Sequence, residues 1–378
     1  MRIACRLVIS FAMAFSLTAS AATKEVVELG QRLERLKEPI RLTKERLKRP
    51  QDVEFLPDLY FMMAELLIES SRVAISLKQA KQPKTPIDEL DFTAEKRPKL
   101  EAIEIYRQIE GRFPKYAKLD KVLFFQAHEH RELGQADEAL ALYKKIVDQY
   151  PGSAHWDEAQ LNIGNHYFEK KDFDFALEQY QKIIAKERSK AAAAAYYKMG
   201  WCHVNKGKWV ESLDSYRKSV DAFTNIAGQF KPTDIKNADM REEALVASVW
   251  PYTELKPEEV LKIPDAVTPV KFYRGLAPDK FVYARVMSRL GRRLVIKKRF
   301  SDAATAHLEA LKSLEDPVAR MDALEDYYRA FKETKDEFFP AGISGVVAET
   351  FIWLNELERD LKPQQRRTTK YEPIFRDI

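Results

Sequence analysis

The chain has 378 residues, 45% of them hydrophobic and 32% charged, and carries a net charge of +5. That balance is globular and excludes a disordered or fibrous chain, and 12 glycines are few for a loop-rich fold. The positive excess is small and dispersed, so no nucleic-acid partner is expected.

Residues 1–21 read as a signal peptide. Arg2 and Arg6 give a positive start, Leu7 to Leu17 is a short apolar run, and Ala19-Ser20-Ala21 is a small-residue cleavage site. The run is too short to span a bilayer as a stable helix. The expectation is a cleaved secretory signal, a mature chain from about Ala22 with net charge +3, and a periplasmic location. Cys5 precedes the apolar run and is not placed for lipid attachment. No later stretch is apolar enough for a transmembrane segment. Cys202 is the cysteine left after cleavage, so no internal disulfide forms, and in a helix interior it reads as a small buried hydrophobe.

Residues 22–50 form an N-terminal helix. Val26, Leu29, Leu33, Leu36, Ile40 and Leu47 alternate by three and four with Thr43 in one slot, a heptad seam that Pro39 is expected to kink or break. Two readings stay open: a short coiled coil joining copies into a homo-oligomer through 24–48, or an amphipathic helix packed on its neighbour. Residues 51–117 read as a degenerate first repeat with a long loop. Its helix Phe55–Lys78 has the apolar stripe Leu59, Met62, Met63, Leu66, Leu67 and Ile75, and Pro57 suits the first turn. Gln79 to Pro98 is a polar connection with three prolines, and Lys99–Arg112 is a second helix with Ala102 and Tyr106.

Residues 118–223 repeat one unit three times. Each unit has a small residue on a first helix, an aromatic or histidine three positions on, and a second helix whose small residue precedes an aromatic by four. The sets are Ala127, His130, Ala139 and Tyr143; Gly164, Tyr167, Ala176 and Tyr180; and Gly200, His203, Ser212 and Tyr216, the last two with Phe173 and Trp209 opening the second helix. The second-helix aromatics step by 37 and 36 residues, a period that signals an α-solenoid. On these residues, with Pro151 closing the first unit, the chain resembles the tetratricopeptide repeat family. The resemblance implies an all-α fold, an α-solenoid of stacked antiparallel helix pairs in a right-handed superhelix, and a binding platform rather than an enzyme.

Residues 224–278 read as an irregular insertion. It holds a shrunken helix pair, with Pro251 inside Met240–Glu254 and a short helix Pro257–Ile263, and then a proline-rich irregular stretch from Pro264 to Pro278. Residues 279–361 resume the pattern: Leu290-Gly291, Phe300, Ala303 and His307 fall in register with Met199-Gly200, Trp209, Ser212 and Tyr216, and Asp316–Lys332 with Val346–Leu361 makes a last pair. Residues 362–378 are a polar tail. The 118–223 block is similar to Tol-Pal-associated periplasmic repeat proteins. The whole layout is similar to envelope repeat proteins of delta-proteobacteria, including those linked to gliding motility.

Chemistry-bearing patterns are sparse. The imidazoles of His128 and His130 are two apart and cannot share an ion on one helix face, so no metal site is expected. Phosphate-binding glycine loops and nucleophile elbows are absent, so neither a catalytic residue nor a cofactor is expected. The resemblance places the first helix of each unit along a concave groove. The matching positions are Phe124, His128 and Arg131; Leu161, Asn165 and Phe168; Tyr197, Trp201 and Asn205; and Arg292 in the later unit. Asn165 matches a groove asparagine that holds a ligand backbone in peptide-binding relatives. Phe124 and Tyr197 stand where carboxylate-clamp relatives have lysines, so recognition of a chain-terminal carboxylate is not expected. The reading is a scaffold that binds a peptide segment or helix of envelope proteins. Its alternative is a docking regulator of a peptidoglycan- or lipid-processing enzyme.

Overall fold

The computed structural model describes residues 4–49, 54–186, 189–227, 239–263, 266, 268–332 and 352. Among them the structure is all-α, with one 3₁₀ turn at Ile87–Glu89 and no strand. The chain divides into two compact units, Met1–Ala159 and Gln160–Ile378.

The first unit holds α1 (Ala4–Leu47), α2 (Leu56–Lys81), α3 (Thr93–Arg112), α4 (Leu119–Glu132) and α5 (Ala136–Gln149). Each packs on the next. Helix α1 runs on through Pro39, so the helix is not broken there. Proline removes one backbone hydrogen bond, but Leu36 and Thr43 are buried and Ile40 and Leu47 pack on the α2 core, which holds the helix across that gap. The C-terminal half of the heptad seam thus packs within the same chain, as in the second of the two readings. Helix α3 starts at Thr93, six residues before the expected Lys99, with Pro98 inside it. Asp91 accepts hydrogen bonds from the Thr93 backbone and hydroxyl, and Ser71 donates to the Glu95 carbonyl, which ties the new first turn to α2.

Helix α6 (Trp156–Glu169) opens at the end of the first unit. The second unit continues with α7 (Phe173–Ala185), α8 (Ala192–Asn205), α9 (Trp209–Ala227), α10 (Arg241–Glu254), the single turn α11 (Pro257–Val260), α12 (Pro269–Leu276), α13 (Lys280–Ile296), α14 (Phe300–Ser313) and α15 (Pro317–Lys332). The stretch expected to be irregular up to Pro278 therefore contains α12. Thr268 caps it by accepting from the Lys271 N–H, Pro269 pre-sets its first turn, and Phe272 and Tyr273 are buried. The expected helix Val346–Leu361, the tail and most of 224–239 lie outside the described residues.

The repeat core follows one rule. In the pairs that carry Gly164, Gly200 and Gly291, a ring from the second helix lies on bare backbone of the first helix. A Cβ at Gly164 would stand 2.4 Å from the Tyr180 ring, at Gly200 2.5 Å from Tyr216, and at Gly291 2.5 Å from His307. Tyr143, Tyr180, Tyr216 and His307 are all buried. Cys202 on α8 packs in the cluster around Tyr180, and burial pushes its thiol up to about 12. The turn inside each pair passes through the left-handed region at Gly134 (φ 76°), Lys171 (62°), Gly207 (67°) and Lys298 (58°). Glycine takes that conformation without penalty; lysine does not.

Candidate functional site

The ring-on-backbone contact fixes the rotation of each first helix about its axis. On α4 the residues flanking Ala127 are drawn inward: Gln126 and Glu129 are buried and His128 is half-buried. Phe124, expected in the groove, is buried instead (6% exposed): His155, from the segment before α6, stacks on it at 4.4 Å, and Tyr143 meets its edge at 6.1 Å. Burial lowers the His155 pKa. Arg131 is exposed.

His128 is half-buried in an ion cluster. Its Nδ1 lies 3.5 Å from Glu129 Oε1 and 3.7 Å from Glu132 Oε1. Lys99 (3% exposed) pairs with Glu129 (1% exposed) at 3.0 Å and also with Glu132, and Arg72 reaches Glu129 at 2.7 Å. Burial opposes ionisation of Glu129, but hydrogen bonds from His128 and Lys99 and the charges of Lys99 and Arg72 outweigh it and hold its carboxyl below the usual range. His128, Glu129 and Glu132 are close enough to share a metal ion. Two cationic side chains already balance the carboxylates, however, and an ion would have to displace Lys99. His130 takes no part; its Nδ1 meets Gln135 Oε1 at 2.7 Å. The arrangement locks α2, α3 and α4 together.

In the second unit the first helices touch in series: α8 meets α10, α10 meets α13, and α13 meets α15. Leu161 packs against the α7–α8 core. Asn165 is half-buried and accepts from the Tyr180 hydroxyl at 2.9 Å, so its amide oxygen is engaged within the chain. Phe168 lies edge-on to Phe173 with Lys198 over its ring at 5.7 Å. Tyr197 and Trp201 are half-buried against Tyr216, and Trp201 continues edge-on to Trp250 at 6.5 Å. Asn205 is exposed and donates to the Trp201 carbonyl. Arg292 is exposed and pairs with Asp326 at 2.7 Å.

The structure adds residues that sequence reasoning missed. Trp250 on α10 is 43% exposed and carries Arg293 over its ring at 4.9 Å. Arg285 and Arg289 on α13, together with Arg292 and Arg293, line a cavity of about 510 Å³ between α10, α13 and α15. The signal was present: the arginines recur at helical spacing, but only Arg292 was placed on the face because a single position of that later unit was projected from the family.

The family model described as tetratricopeptide repeat matches residues 126–185 and 161–225. The tetratricopeptide resemblance is supported for that block. Among solved structures, the chain is similar to the C-terminal part of a TPR repeat-containing protein from Cytophaga hutchinsonii, at 13% identity over 82% of this chain and 99% of that one, TM-score 0.40. It is also similar to a tetratricopeptide repeat protein from Parabacteroides merdae, at 12% identity over 71% and 98%, TM-score 0.30. A third is the apo form of RapI, at 12% identity over 83% and 97%, TM-score 0.38. No curated protein matches the sequence. Arrays of this kind present extended surfaces to protein partners.

Proposed function

We propose that the protein is a non-enzymatic periplasmic scaffold that holds envelope proteins together, in an outer-membrane assembly of Tol-Pal-like or motility type. The observation that carries the binding reading is the first-helix face of the second unit. It sets Trp201 and Trp250 beside a cluster of arginines, the residue types that anchor protein interfaces. Arg2, Arg6, the Leu7–Leu17 run and Ala19-Ser20-Ala21 support the compartment. No described helix is long and apolar enough to cross a membrane.

A photoreactive residue in place of Trp250, in cells that make the protein, tests the reading. The expected result is capture of one or a few envelope proteins, with the mature chain starting near Ala22 by mass and recovered in the periplasmic fraction. An uncleaved cytoplasmic product would overturn the compartment. Capture from the α2–α3 connection but never from Trp250 would overturn the face.

A further inference from the structure

One face of α13 carries a stripe that the pair core does not use. Phe281, Arg285, Arg289, Arg292 and Ile296 follow helical spacing along it. Phe281 and Ile296, at the ends, are 62% and 74% exposed. The guanidinium groups between them are not equivalent. Arg285 is paired with Glu242 of α10, and Arg292 with Asp326 of α15. Beside the stripe, Arg293 reaches Glu254 at 2.6 Å. Arg289, in the middle, is exposed and has neither an ion pair nor a hydrogen bond to any described residue. Among the described residues it is the guanidinium of the cavity without a partner, although the Asp322 carboxylate also lines the space, and the rest of the floor beside it is small: Ala284, Ser288, Ala319 and Ala323.

From this pattern we propose that the α13 face binds an acidic segment of a protein partner, one carboxylate opposite Arg289 and apolar side chains on either side of it. The inference rests on the scaffold reading above and names its ligand class. Helical rise places Phe281 about 12 Å and Ile296 about 10 Å from Arg289 along the axis, so the apolar side chains of the segment stand about that far from its carboxylate. A guanidinium fork suits a carboxylate because it offers two parallel N–H donors. Arg285 and Arg292 are exposed on their own side of the pairs with Glu242 and Asp326, so further acids on the segment can reach both guanidiniums. Other anions fit less well. The N-terminus of α13 is capped by the Asp279 carboxylate, which accepts from the Val282 N–H, so no free amide cluster awaits a phosphate. Three of the four guanidiniums are neutralised, unlike a patch that adheres to an anionic membrane.

The test uses the full chain and a fluorescein-labelled helical peptide with leucines at both ends of one face and glutamates between them, compared with its glutamine and lysine counterparts. The expected result is binding about tenfold tighter for the glutamate peptide than for the glutamine one, a gap that narrows with salt. Arg289→Gln should reduce the gap to under about twofold, Arg289→Lys should keep part of it, and Arg289→Glu should make the lysine peptide the preferred one. Equal binding of all three peptides, no binding of any, or an Arg289→Gln chain with unchanged preference overturns the assignment. So does binding to vesicles of anionic phospholipid that is lost in Arg289→Gln while the peptides stay unbound. In each of these cases, cross-linking from Trp250 that persists in the Arg289→Gln chain leaves the scaffold reading standing.

Discussion

Helices α4 and α13 hold the same place in their repeats, yet they use their charges in opposite ways. Ala127 and Gly291 mark the matching register, each at the same spacing before a buried ring of its second helix. The residues that follow are His128-Glu129 in one and Arg292-Arg293 in the other. On α4 the charge turns inward: Glu129 is buried against Lys99 and reached from the surface by Arg72. On α13 the charges reach sideways to carboxylates on α10 and α15, and Arg289 is left without a partner among the described residues. The repeat thus fixes where a side chain starts, and the neighbouring helices decide whether it becomes mortar or display.

The comparison breaks most directly at Lys99. Lys99→Met leaves Glu129 buried with Arg72 as its remaining strong partner, and should cost about 3 kcal/mol in urea unfolding. Lys99→Met with Glu129→Leu should recover most of that loss. A single-variant loss below about 1 kcal/mol would show that the α4 cluster is not structural.

The next largest effect separates the aromatic slots. His307 fills on α14 the place that Tyr216 fills on α9, and burial lowers its pKa to about 4. The unfolded chain, with a histidine pKa of about 6.5, takes up the proton first as pH falls. The contribution of neutral His307 is therefore complete above pH 6.5 and is lost on descending towards 4, by roughly 3 kcal/mol. His307→Phe should remove that part of the acid sensitivity, seen as a flatter profile of stability against pH between those limits. An unchanged profile would mean that the ring is reached by water.

Gly164→Ala comes third. Its methyl would meet the buried Tyr180 ring at 2.4 Å, and the expected cost is about 2 kcal/mol by thermal or urea unfolding. A neutral result would show that the ring can swing away and that the slot does not fix the helix rotation. Smallest is Arg292→Ala. The Arg292–Asp326 pair is exposed on the arginine side, so less than about 1 kcal/mol should be lost, with a circular dichroism spectrum like that of the parent. A loss as large as that of Lys99→Met would erase the contrast between the two helices.

The helix pairs were legible because Gly164, Gly200 and Gly291 precede their rings by one constant spacing, and that spacing is itself the packing contact. The face was only partly legible. Phe124 sits at a projected groove position, but the residue that covers it, His155, arrives from the far side of α5. Asn165 was read as a ligand-holding amide, yet the Tyr180 hydroxyl engages its oxygen. The freedom of Arg289 could not be read from α13 alone, because the acids that take its neighbours lie on other helices, Glu242 43 residues before Arg285 and Asp326 34 residues after Arg292. Helix α12 was missed for a local reason: its prolines drew attention while the Thr268-Pro269 start signal did not.

Cys202 gives the second unit a clock. Its thiol is buried beside Tyr180, and its pKa of about 12 leaves almost no thiolate at neutral pH. A thiol reagent can reach it only during moments when α8 parts from α7. In a chain processed near Ala22 it is also the sole cysteine, so its labelling rate, without any engineered probe, counts how often that seam opens and should slow when a partner clamps the face above it.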